Sequence, residues 1–352
     1  MTTHRIAVIA GDGIGKEVIP AGIGVLEAAT RGSKVSLDFT HLPWGCEHYL
    51  AHHRMMDEDS FERLASFDAI YLGAIGAPGV PDRVSADLLL AIRRRFDQYV
   101  NLRPMRLLSG LTSPLANRAA KDIDMVCVRE NSEGEYAAVG GRIHVGTSHE
   151  VAQQTGVFTR HGVERLLRYG FELASRRPRK MLASATKSNA LIYSMVLWDE
   201  VADIVRQDYP SVEYKKYHVD ALAARMITHP QTLDVMVASN LFGDVLTDIG
   251  SAISGSLGIA PGANINPERR FPSMFEPIHG SAPDIAGLGI ANPIGAIWAG
   301  AQMLDHLGCR DLHDRVLAAL ERVVANGKVR TPDLGGKATT KEVADAIRSE
   351  LG

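Results

Sequence analysis

Short runs of apolar, β-branched residues alternate along the chain with longer stretches of helical periodicity. The first run is RIAVIA (5–10), and two similar runs follow, KVSLDFT (34–40) and DAIYLGAIG (68–76). Two later runs, MVCVRE (125–130) and LDVMVAS (233–239), predict buried strands. Because helical patterns separate these runs, their order predicts an α/β fold with a largely parallel sheet.

Two segments have helical periodicity, and a third segment interrupts the alternation of strand and helix patterns. Residues 16–30 predict a helix directly after the first strand, and residues 160–177 predict another. The apolar residues of the second segment recur at helical spacing: Val163, Leu166, Leu167, Phe171 and Ala174. Residues 137–158 indicate a hairpin, which serves either as a surface feature or as an arm for subunit contact.

The loop after the first strand begins like a dinucleotide-binding turn. Gly11 and Gly13 match the first glycines of G-x-G-x-x-G, but Lys16 stands where a third glycine allows close packing of helix on strand. Asp38 lies where an acidic residue would bind the ribose, and it is equally a solvent-facing strand residue. The pattern leaves a Rossmann site open but argues against it.

Paired carboxylates follow the last predicted strand, in the stretch NLFGDVLTDIG (240–250). Asp244 and Asp248 are four residues apart, so a helix would place both side chains on one face. Carboxylate oxygens suit Mg²⁺ or Mn²⁺. The alternative is a pair of acids that the helix dipole favours near the amino end.

Arginines form a second concentration of chemistry. Arg93 and Arg103 lie in IRRRFDQYVNLRP, and Arg129 lies in VCVRENSEGEY. Guanidinium groups bind carboxylates in two-point contacts that lysine does not match, so three of them suit a dicarboxylic acid. Surface salt bridges are the alternative for any one of them taken alone.

A turn-rich segment, FEPIHGSAPDIAGLGIANP (275–293), places His279, Asp284 and Asn292 among small residues. Such a loop allows the backbone to approach a ligand closely. The stretch CEHYLAHH (46–53) contains four possible metal ligands but matches no standard zinc spacing.

Composition limits the classes of protein that remain. A net charge of −3 over 352 residues argues against a general nucleic-acid binder, and the basic run 176–180 predicts a solvated helix end. Three separated cysteines without a CxxC pair predict a reducing, cytoplasmic location, and the apolar run 6–10 is too short for a signal peptide. The uncharged stretch 249–267 is rich in Gly, Ser and Pro, which predicts loop and short helix rather than a membrane span.

Seven motifs resemble, in order, those of the decarboxylating β-hydroxyacid dehydrogenases, which include isopropylmalate, isocitrate and tartrate/D-malate dehydrogenases. They are GDGIGKEV, NLRP, RENSEGEY, TKSNAL, NLFGDVLTD, EPIHGSAPDIAG and IANP, and they cover most of the chain. Three longer stretches look most like the tartrate/D-malate branch: GDGIGKEVIP, FDQYVNLRP and VFTRHGVERLLRYGFELA.

The resemblance implies an NAD-dependent oxidative decarboxylase of a small dicarboxylic 2-hydroxy acid, with a divalent metal. D-malate is the expected substrate, with oxidation of tartrate as well; 3-isopropylmalate comes second and isocitrate third. It also implies a two-domain α/β fold of the isopropylmalate dehydrogenase type, which is not Rossmann. Residues 1–98 and 252–352 would form a large cofactor-side domain, and residues 99–251 a small domain with the metal site and the dimer interface.

The same resemblance implies roles for individual residues in a homodimer with shared active sites. Arg93, Arg103 and Arg129 would bind the substrate carboxylates. The metal ligands would be Asp244, Asp248 and, from the partner subunit, Asp220. Lys187 of the partner subunit would act in proton transfer at the hydroxyl, and Tyr136 would protonate the enol carbon after carbon dioxide leaves.

Cofactor binding is implied mainly around HGSAPDIAG. The residues that would contact NAD are Ile14, Glu276, His279, Gly280, Ser281, Ala282, Asp284, Ile285 and Asn292. The carboxylate of Asp284 would accept bonds from the adenosine ribose and repel a 2′-phosphate, which favours NAD over NADP. A monovalent cation such as K⁺ is a further cofactor that we weigh.

One stretch departs from the tartrate/D-malate pattern. Residues 84–93, VSADLLLAIR, are shorter and less bulky than that branch usually shows, so Leu89 and Leu90 either line an apolar substrate pocket or pack in the core. A different reading is a non-catalytic regulatory subunit, as occurs among NAD-isocitrate dehydrogenases. That reading predicts damage to the catalytic set, which is complete here.

Overall fold

The computed structural model describes residues 2–352, which form two compact units. Unit 1 comprises the chain up to Gln98 together with Arg106–Ala120 and Ser251–Gly352. Unit 2 comprises Tyr99–Met105 and Lys121–Gly250. Each unit is therefore assembled from separate stretches of the chain.

Strands and helices alternate through most of the chain. The strands are β1 (Thr2–Gly11), β2 (Val35–His41), β3 (Ala69–Ala74), β4 (Val100–Arg106), β5 (Asp124–Glu130), β6 (Gly134–Ile143), β7 (Val151–Val157), β8 (Met181–Thr186), β9 (Glu213–His218), β10 (Val235–Ala238), β11 (Pro261–Ile265) and β12 (Ser273–Pro277). The helices are α1 (Gly15–Thr30), α2 (Cys46–His52), α3 (Ser60–Leu64), α4 (Asp82–Arg95), α5 (Arg160–Arg176), α6 (Ser194–Val205), α7 (Val219–Thr228), α8 (Asn240–Ile253), α9 (Ile294–His306), α10 (Arg310–Asn326) and α11 (Thr340–Leu351). This alternation confirms the α/β prediction.

The sheet of unit 1 has the strand order β2-β1-β3-β12-β11. The pairs β1–β2, β1–β3 and β3–β12 are parallel, whereas β11 runs antiparallel to β12. Every residue of β3 is buried, as is usual for a strand covered by helices on both faces. The parallel strands β1, β3 and β12 therefore end at one common edge, and the loops that follow them meet there.

The sheet of unit 2 has the strand order β4-β5-β10-β8-β9. The strands β5, β10, β8 and β9 run parallel to one another. Strands β6 and β7 pair antiparallel in a separate two-stranded sheet, which confirms the predicted hairpin. Most residues of that hairpin are exposed, so it contributes little to the hydrophobic core of the single chain.

Helix α5 shows how the local sequence forms an element. The hydroxyl of Thr159 accepts a hydrogen bond from the backbone N–H of Gly162 at 3.0 Å, which caps the helix at its amino end. The buried face consists of glycines and the apolar residues of the predicted pattern: Gly162, Val163, Leu166, Leu167, Gly170, Phe171 and Ala174. The helical periodicity of this segment is therefore confirmed.

Two expectations are wrong in part. The stretch 249–267 contains strand β11 as well as helix, because all five residues of Pro261–Ile265 are buried and pair with β12. In the basic run 176–180, Arg177 is not solvated: its guanidinium contacts Asp234 at 2.5 Å and Asp124 at 3.0 Å.

Within residues 2–352, no helix has the length and apolar character needed to cross a membrane.

Candidate active site

Four predicted site residues lie at or just beyond the carboxyl ends of the parallel strands of unit 2. Arg129 is near the end of β5 and Lys187 directly follows β8. Asp220 lies in the first turn of α7, after β9, and Asp244 lies in α8 after β10. Open α/β sheets bind ligands beyond the carboxyl ends of their strands, so this edge is the expected place for a site.

The carboxylate of Asp244 is the meeting point of three predicted residues within unit 2. Its Oδ1 lies 2.9 Å from Nη1 of Arg129 and 3.4 Å from Nη1 of Arg103. The hydroxyl of Tyr136 donates to its Oδ2 at 3.3 Å. These residues and Asp244 are spread over more than a hundred positions of the sequence, and in the fold all three side chains contact one carboxylate.

Arg129 is held in place by helix α8. Its side chain is buried, and its Nε donates to the backbone oxygen of Asn240 at 2.8 Å. The helix approaches so closely at Gly243 that a Cβ there would lie 2.5 Å from Cγ of Arg129. Glycine is therefore required at this position for the arginine to keep its place.

Arg103 is oriented by neutral partners beside Asp244. Its Nε donates to Oδ1 of Asn101 at 2.7 Å, and its Nη1 donates to the hydroxyl of Thr247 at 2.8 Å. Asn101 and Thr247 are both buried. These two residues were not among the predicted site residues, although Asn101 stands in the NLRP motif and Thr247 lies between the paired aspartates.

Tyr136 is kept in its protonated form by its surroundings. Burial raises the pKa of its hydroxyl, and the negative charge of Asp244 raises it further. Arg129, whose guanidinium carbon lies 5.6 Å from the ring centre, acts in the opposite direction. At neutral pH the hydroxyl is therefore a proton donor.

Asp248 lies one helical turn beyond Asp244 on α8, so the two carboxylates share a face. Its side chain is exposed and makes no hydrogen bond or ion pair within residues 2–352. No group of three or more His, Cys, Asp or Glu side chains is arranged to hold a metal among those residues of the single chain. The stretch 46–53, with its cysteine and histidines, forms no such group either.

Lys187 and Asp220 lie together at the ends of the neighbouring strands β8 and β9. The ammonium of Lys187 is 2.9 Å from Oδ1 of Asp220. That hydrogen bond is the main reason why the pKa of the Asp220 carboxyl lies below its usual value. The two side chains therefore form an ion pair.

Arg93 lies in unit 1, in the last turn of α4, and is buried. Its Nη2 contacts Oε1 of Glu276 at 2.7 Å, and the same oxygen accepts a bond from Nδ2 of Asn264 at 2.7 Å. Its Nε is buried and has no hydrogen-bond partner within residues 2–352. Arg93, a predicted substrate-binding residue, therefore forms an ion pair with Glu276, a predicted cofactor-binding residue.

Leu89 and Leu90 are both half-buried in α4. Leu89 packs against a hydrophobic cluster of unit 1 that includes Leu88, Ile92 and Phe96. This contact favours a packing role for Leu89, and it leaves the role of Leu90 open to experiment.

The opening glycine loop contacts the turn-rich cofactor segment. The backbone N–H of Ile14 donates to the carbonyl of Ser281 at 2.9 Å. Gly13 has φ +51°, and a Cβ there would lie 2.1 Å from the Ser281 oxygen. At Gly15 a Cβ would lie 2.2 Å from the oxygen of Ala10, so this glycine permits the close helix–strand packing.

The side chain of Lys16, which the sequence suggested as an obstruction, instead extends to Glu47 and remains partly exposed. Asp38 is exposed on β2. The turn therefore differs from the Rossmann pattern in the position of its packing glycine.

The other predicted cofactor residues line one continuous segment of unit 1. Burial lowers the pKa of His279, whose Nδ1 bonds the carbonyl of Gly280 at 3.0 Å. Its Nε2 is buried without a hydrogen-bond partner within residues 2–352. Ser281 is buried, Ala282 has φ +41°, Ile285 is half-buried and Asp284 is exposed.

Asn292 is already occupied by protein partners. Its Nδ2 donates to Asp333 at 2.9 Å, and its Oδ1 accepts from the backbone N–H of Ile294 at the start of α9. Its observed contacts therefore order the amino end of a helix.

Asp12 is a buried residue of the opening loop that was not among the predicted site residues. Its carboxylate accepts bonds from the backbone N–H of Cys46 and of Gly76, each at about 3.0 Å. It ties together three loops at the edge of the unit 1 sheet. The only available signal was its position between two glycines.

Comparison with known proteins shows the family of the chain. The isocitrate/isopropylmalate dehydrogenase family model matches residues 5–347. The chain is 56% identical to the D-malate dehydrogenase [decarboxylating] of Escherichia coli (strain K12), over 99% of this chain and 98% of that protein. It is 52% identical to the tartrate dehydrogenase/decarboxylase of Pseudomonas putida, over 99% and 98%.

Solved structures show the same fold. The isocitrate dehydrogenase from Methylococcus capsulatus has a TM-score of 0.88 at 34% identity, covering 99% of both chains. The TT0538 protein from Thermus thermophilus has a TM-score of 0.86 at 32% identity, covering 99% of this chain and 68% of that one. The chain belongs to the isocitrate/isopropylmalate dehydrogenase family.

Its full-length similarity places it beside D-malate and tartrate dehydrogenases within that family. It is accordingly a decarboxylating dehydrogenase, an oxidoreductase that acts on a CH–OH group. The predicted family resemblance and fold class are confirmed.

Proposed function

We propose that this enzyme converts D-malate and NAD⁺ to pyruvate, carbon dioxide and NADH with the help of Mg²⁺ or Mn²⁺, and that it also oxidises tartrate. The observation that carries the proposal is the cluster in which Arg103, Arg129 and Tyr136 meet on Asp244. It joins carboxylate-binding groups, a proton donor and a metal-ligand candidate. The names of the two most similar relatives support the choice of substrate.

The arginines would bind the substrate's carboxylates. In unit 2, Arg103 and Arg129 each direct a guanidinium nitrogen at Asp244, where a substrate carboxylate would compete for the same donors. Arg93 of unit 1 would contribute a third guanidinium, because its Nε is unpaired within residues 2–352. Three such groups match a dicarboxylic acid better than a monocarboxylic one.

The carboxylates of unit 2 fit a divalent metal. Asp248 is exposed and unpaired within residues 2–352, and it shares a helix face with Asp244. Oxygen donors of this kind suit Mg²⁺ and Mn²⁺. We infer that Asp220 of the partner subunit completes the set. A bound ion would supply Lewis-acid polarisation of the substrate oxygen that becomes the carbonyl.

Two residues would move protons. Lys187 of the partner subunit would take the proton from the substrate hydroxyl as a neutral amine, a form that a nearby metal cation would favour, with Asp220 of the same subunit beside it. Tyr136 would donate a proton to the enol carbon after carbon dioxide leaves, since its raised pKa keeps it protonated at neutral pH. Arg129 lies close to the ring and would stabilise the phenolate that forms.

The segment around His279 fits a dinucleotide. The buried Nε2 of His279 has no hydrogen-bond partner within residues 2–352 and would pair with a ligand. The exposed carboxylate of Asp284 would accept bonds from ribose hydroxyls, and Gly280 has open space around its α-carbon. NAD supplies the hydride acceptor. We expect a preference for NAD over NADP because Asp284 would repel a 2′-phosphate.

A homodimer would complete each site. The single chain holds no third metal ligand beside Asp244 and Asp248 among its described residues. Exposed apolar side chains of unit 2 offer a surface for a second copy: Val139, Ile143, Val145, Val151, Leu241 and Val245. Large apolar side chains exposed together mark interaction surfaces. We propose that unit 2 forms this interface and that unit 1 is the cofactor-side domain.

3-Isopropylmalate remains the second candidate substrate. Leu89 and Leu90 of α4 are only half-buried, and Leu90 would accept an apolar substituent on the substrate's C3. Isocitrate is the third candidate. A regulatory, non-catalytic role is disfavoured because the proposed catalytic and metal residues are all present and the tyrosine and arginines are ordered on Asp244.

A substrate panel tests the function. We would follow NADH formation with D-malate, L-tartrate, meso-tartrate, 3-isopropylmalate and isocitrate, in Mn²⁺ and after full chelation, with K⁺ or Na⁺ as the monovalent cation. We expect the highest kcat/KM with D-malate, loss of turnover on chelation, and pyruvate as product.

Three outcomes of that panel would contradict the proposal. A clear preference for 3-isopropylmalate would reject the substrate, and turnover that survives chelation would reject the metal. A preference for NADP over NAD would reject the role of Asp284, for which Asp284→Asn provides the matched variant.

A further inference from the structure

A cavity of about 310 Å³ in unit 1 lies at the edge of the sheet opposite the proposed cofactor segment. Its polar and charged lining consists of His4, Asp68, Arg269, Arg270 and His306. His4 lies near the start of β1, Asp68 directly precedes β3 and Pro272 directly precedes β12. Because these three strands are parallel, the cavity lies at their amino ends, and the cofactor segment follows their carboxyl ends.

The charge of this cavity is positive. Arg269 and Arg270 are exposed, and neither guanidinium pairs with a carboxylate within residues 2–352. Asp68 is the only acid of the lining, and its Oδ2 already accepts the backbone N–H of Arg5 at 2.8 Å. Burial, and then the nearby charge of Arg269, lower the pKa of His306 to about 4, so this ring is neutral at pH 7.

The two arginines stand on an ordered turn. Buried Asn266 accepts the backbone N–H of Arg270 on its side chain at 2.9 Å and that of Arg269 on its carbonyl at 3.0 Å. The amide of Asn266 also donates to the carbonyl of Asp97 at 3.0 Å. Arg269 has φ +54°, a conformation that a non-glycine residue keeps only where its surroundings impose it. The backbone that carries both arginines is therefore held in one conformation.

The remaining wall is apolar and partly aromatic. Phe271 is 43% exposed, although its ring lies 6.0 Å from that of Phe96 and is held from that side. Phe67, Pro272 and Leu307 complete this wall. A cavity of this volume is at the small end of ligand pockets, so it has room for one ring and a charged group.

We propose that this cavity binds a small organic anion, whose carboxylate or phosphate pairs with Arg269 and Arg270 and whose flat apolar body rests against Phe271. Guanidinium groups without an acidic partner form strong, two-point contacts with such anions. The inference is independent of the proposed function, because no residue of the cavity belongs to the candidate active site.

Binding of phenyl phosphate, benzoate and inorganic phosphate to the full-length protein, measured by titration calorimetry, tests the proposal. We expect phenyl phosphate or benzoate to bind more tightly than inorganic phosphate, because the ring adds apolar contact. The double variant Arg269→Asn/Arg270→Gln should weaken that binding on the order of tenfold or more. Asparagine tolerates the left-handed backbone at residue 269, so this variant should fold.

A matched control removes two exposed arginines elsewhere in unit 1 that make no ion pair within residues 2–352. Arg31→Gln/Arg83→Gln changes the net charge equally and should leave the affinity unchanged. Saturating NAD should also leave it unchanged, since the cofactor segment is at the other edge. The proposal would be overturned if both double variants lost affinity for phenyl phosphate equally, or if NAD displaced phenyl phosphate. It would also be overturned if the ring-bearing anions bound no more tightly than inorganic phosphate.

A second measurement does not depend on the variants. In the unaltered protein, the ring resonances of His4 and His306 should shift on titration with phenyl phosphate, with the same midpoint as the calorimetric signal. Histidine resonances that stay fixed at saturation would overturn the proposal, whether or not the double variant folds.

Discussion

At the scale of the residue, Asp244 has one set of partners in the structure and a different partner in the proposed reaction. In the structure its oxygens contact Arg103, Arg129 and Tyr136, whereas the proposed reaction uses it as a metal ligand. A substrate carboxylate entering between the guanidinium groups would replace Asp244 as their partner. The aspartate would then be free for the ion, so substrate and metal should strengthen each other's binding.

Removal of the Tyr136 hydroxyl tests its chemical role. Tyr136→Phe keeps the ring beside Arg129 and deletes the proton donor, so kcat with D-malate should fall by about 10²–10⁴. KM should change little, because the arginines remain. Steady-state NADH and pyruvate formation measure both quantities, and Tyr49→Phe, a change outside the site, is the control. Unchanged kcat would reject the proton-donor role.

His306 should make stability depend on pH. Its pKa is lowered to about 4 by burial, so between pH 6.5 and 4 the unfolded chain binds more protons than the folded chain. Stability from this group is complete above pH 6.5 and is lost as the pH falls, by about 3 kcal/mol at pH 4.

Urea unfolding at pH 7 and pH 4.5 measures this effect. His306→Gln carries no titrating ring, so it should lose about 2–3 kcal/mol less than the unaltered protein over that interval. All other groups are shared by the two proteins and cancel in the comparison. Identical pH slopes would show that His306 does not titrate with the lowered pKa.

At the scale of the element, helix α8 organises the unit 2 site. It supplies Asp244 and Asp248, its backbone oxygen at Asn240 anchors Arg129, and Gly243 permits the close contact. The sequence predicted the two carboxylates on one helical face from their spacing alone. It did not show that Gly243, beside them on the helix, controls the position of Arg129 on strand β5.

A single methyl group on α8 should disturb this arrangement. Gly243→Ala would place a Cβ 2.5 Å from Cγ of Arg129, so the arginine or the helix must move. We expect about 1–3 kcal/mol of destabilisation from overpacking, measured by urea unfolding, together with a lower kcat/KM for D-malate.

The control is Gly24→Ala in α1, where the nearest atom is Cδ of Arg348 at 3.8 Å. There the added methyl group meets ordinary contact distance, and alanine should stabilise the helix by about 0.5–1 kcal/mol. If Gly243→Ala behaved in the same way, the close contact would not constrain Arg129.

At the scale of the whole molecule, the proposed site needs two copies of the chain. Lys187 and Asp220 form their own pair in unit 2, and no third acid joins Asp244 and Asp248 among the described residues. If the pair serves the partner's site, defects placed in the two halves should complement each other in a mixed dimer.

Mixing of two inactive variants tests shared sites. Asp248→Asn and Lys187→Met homodimers should each be nearly inactive, because every site lacks one residue. In a mixed dimer one site carries both defects and the other carries none. Random subunit exchange should therefore restore about one quarter of the normal activity. If each chain formed its own complete site, the mixture would stay inactive, and mixing each variant with itself gives the baseline.

The sequence by itself determined the elements and the chemical inventory. Strand runs, helical periodicity and the motifs predicted the α/β class, the hairpin and the family, because these depend on local spacing and residue type. Strand β11 was missed because its Gly- and Pro-containing sequence has weak strand propensity, and burial beside β12 overrides that preference.

Only the tertiary structure decided which distant residues meet. Three predicted side chains converge on Asp244, Arg93 joins Glu276, and Gly13 touches Ser281, although long stretches of chain separate the partners. The cavity at Arg269 also has no local signal in the sequence. Contacts of this kind arise from the order and direction of strands in a sheet, which residue spacing along the chain does not encode.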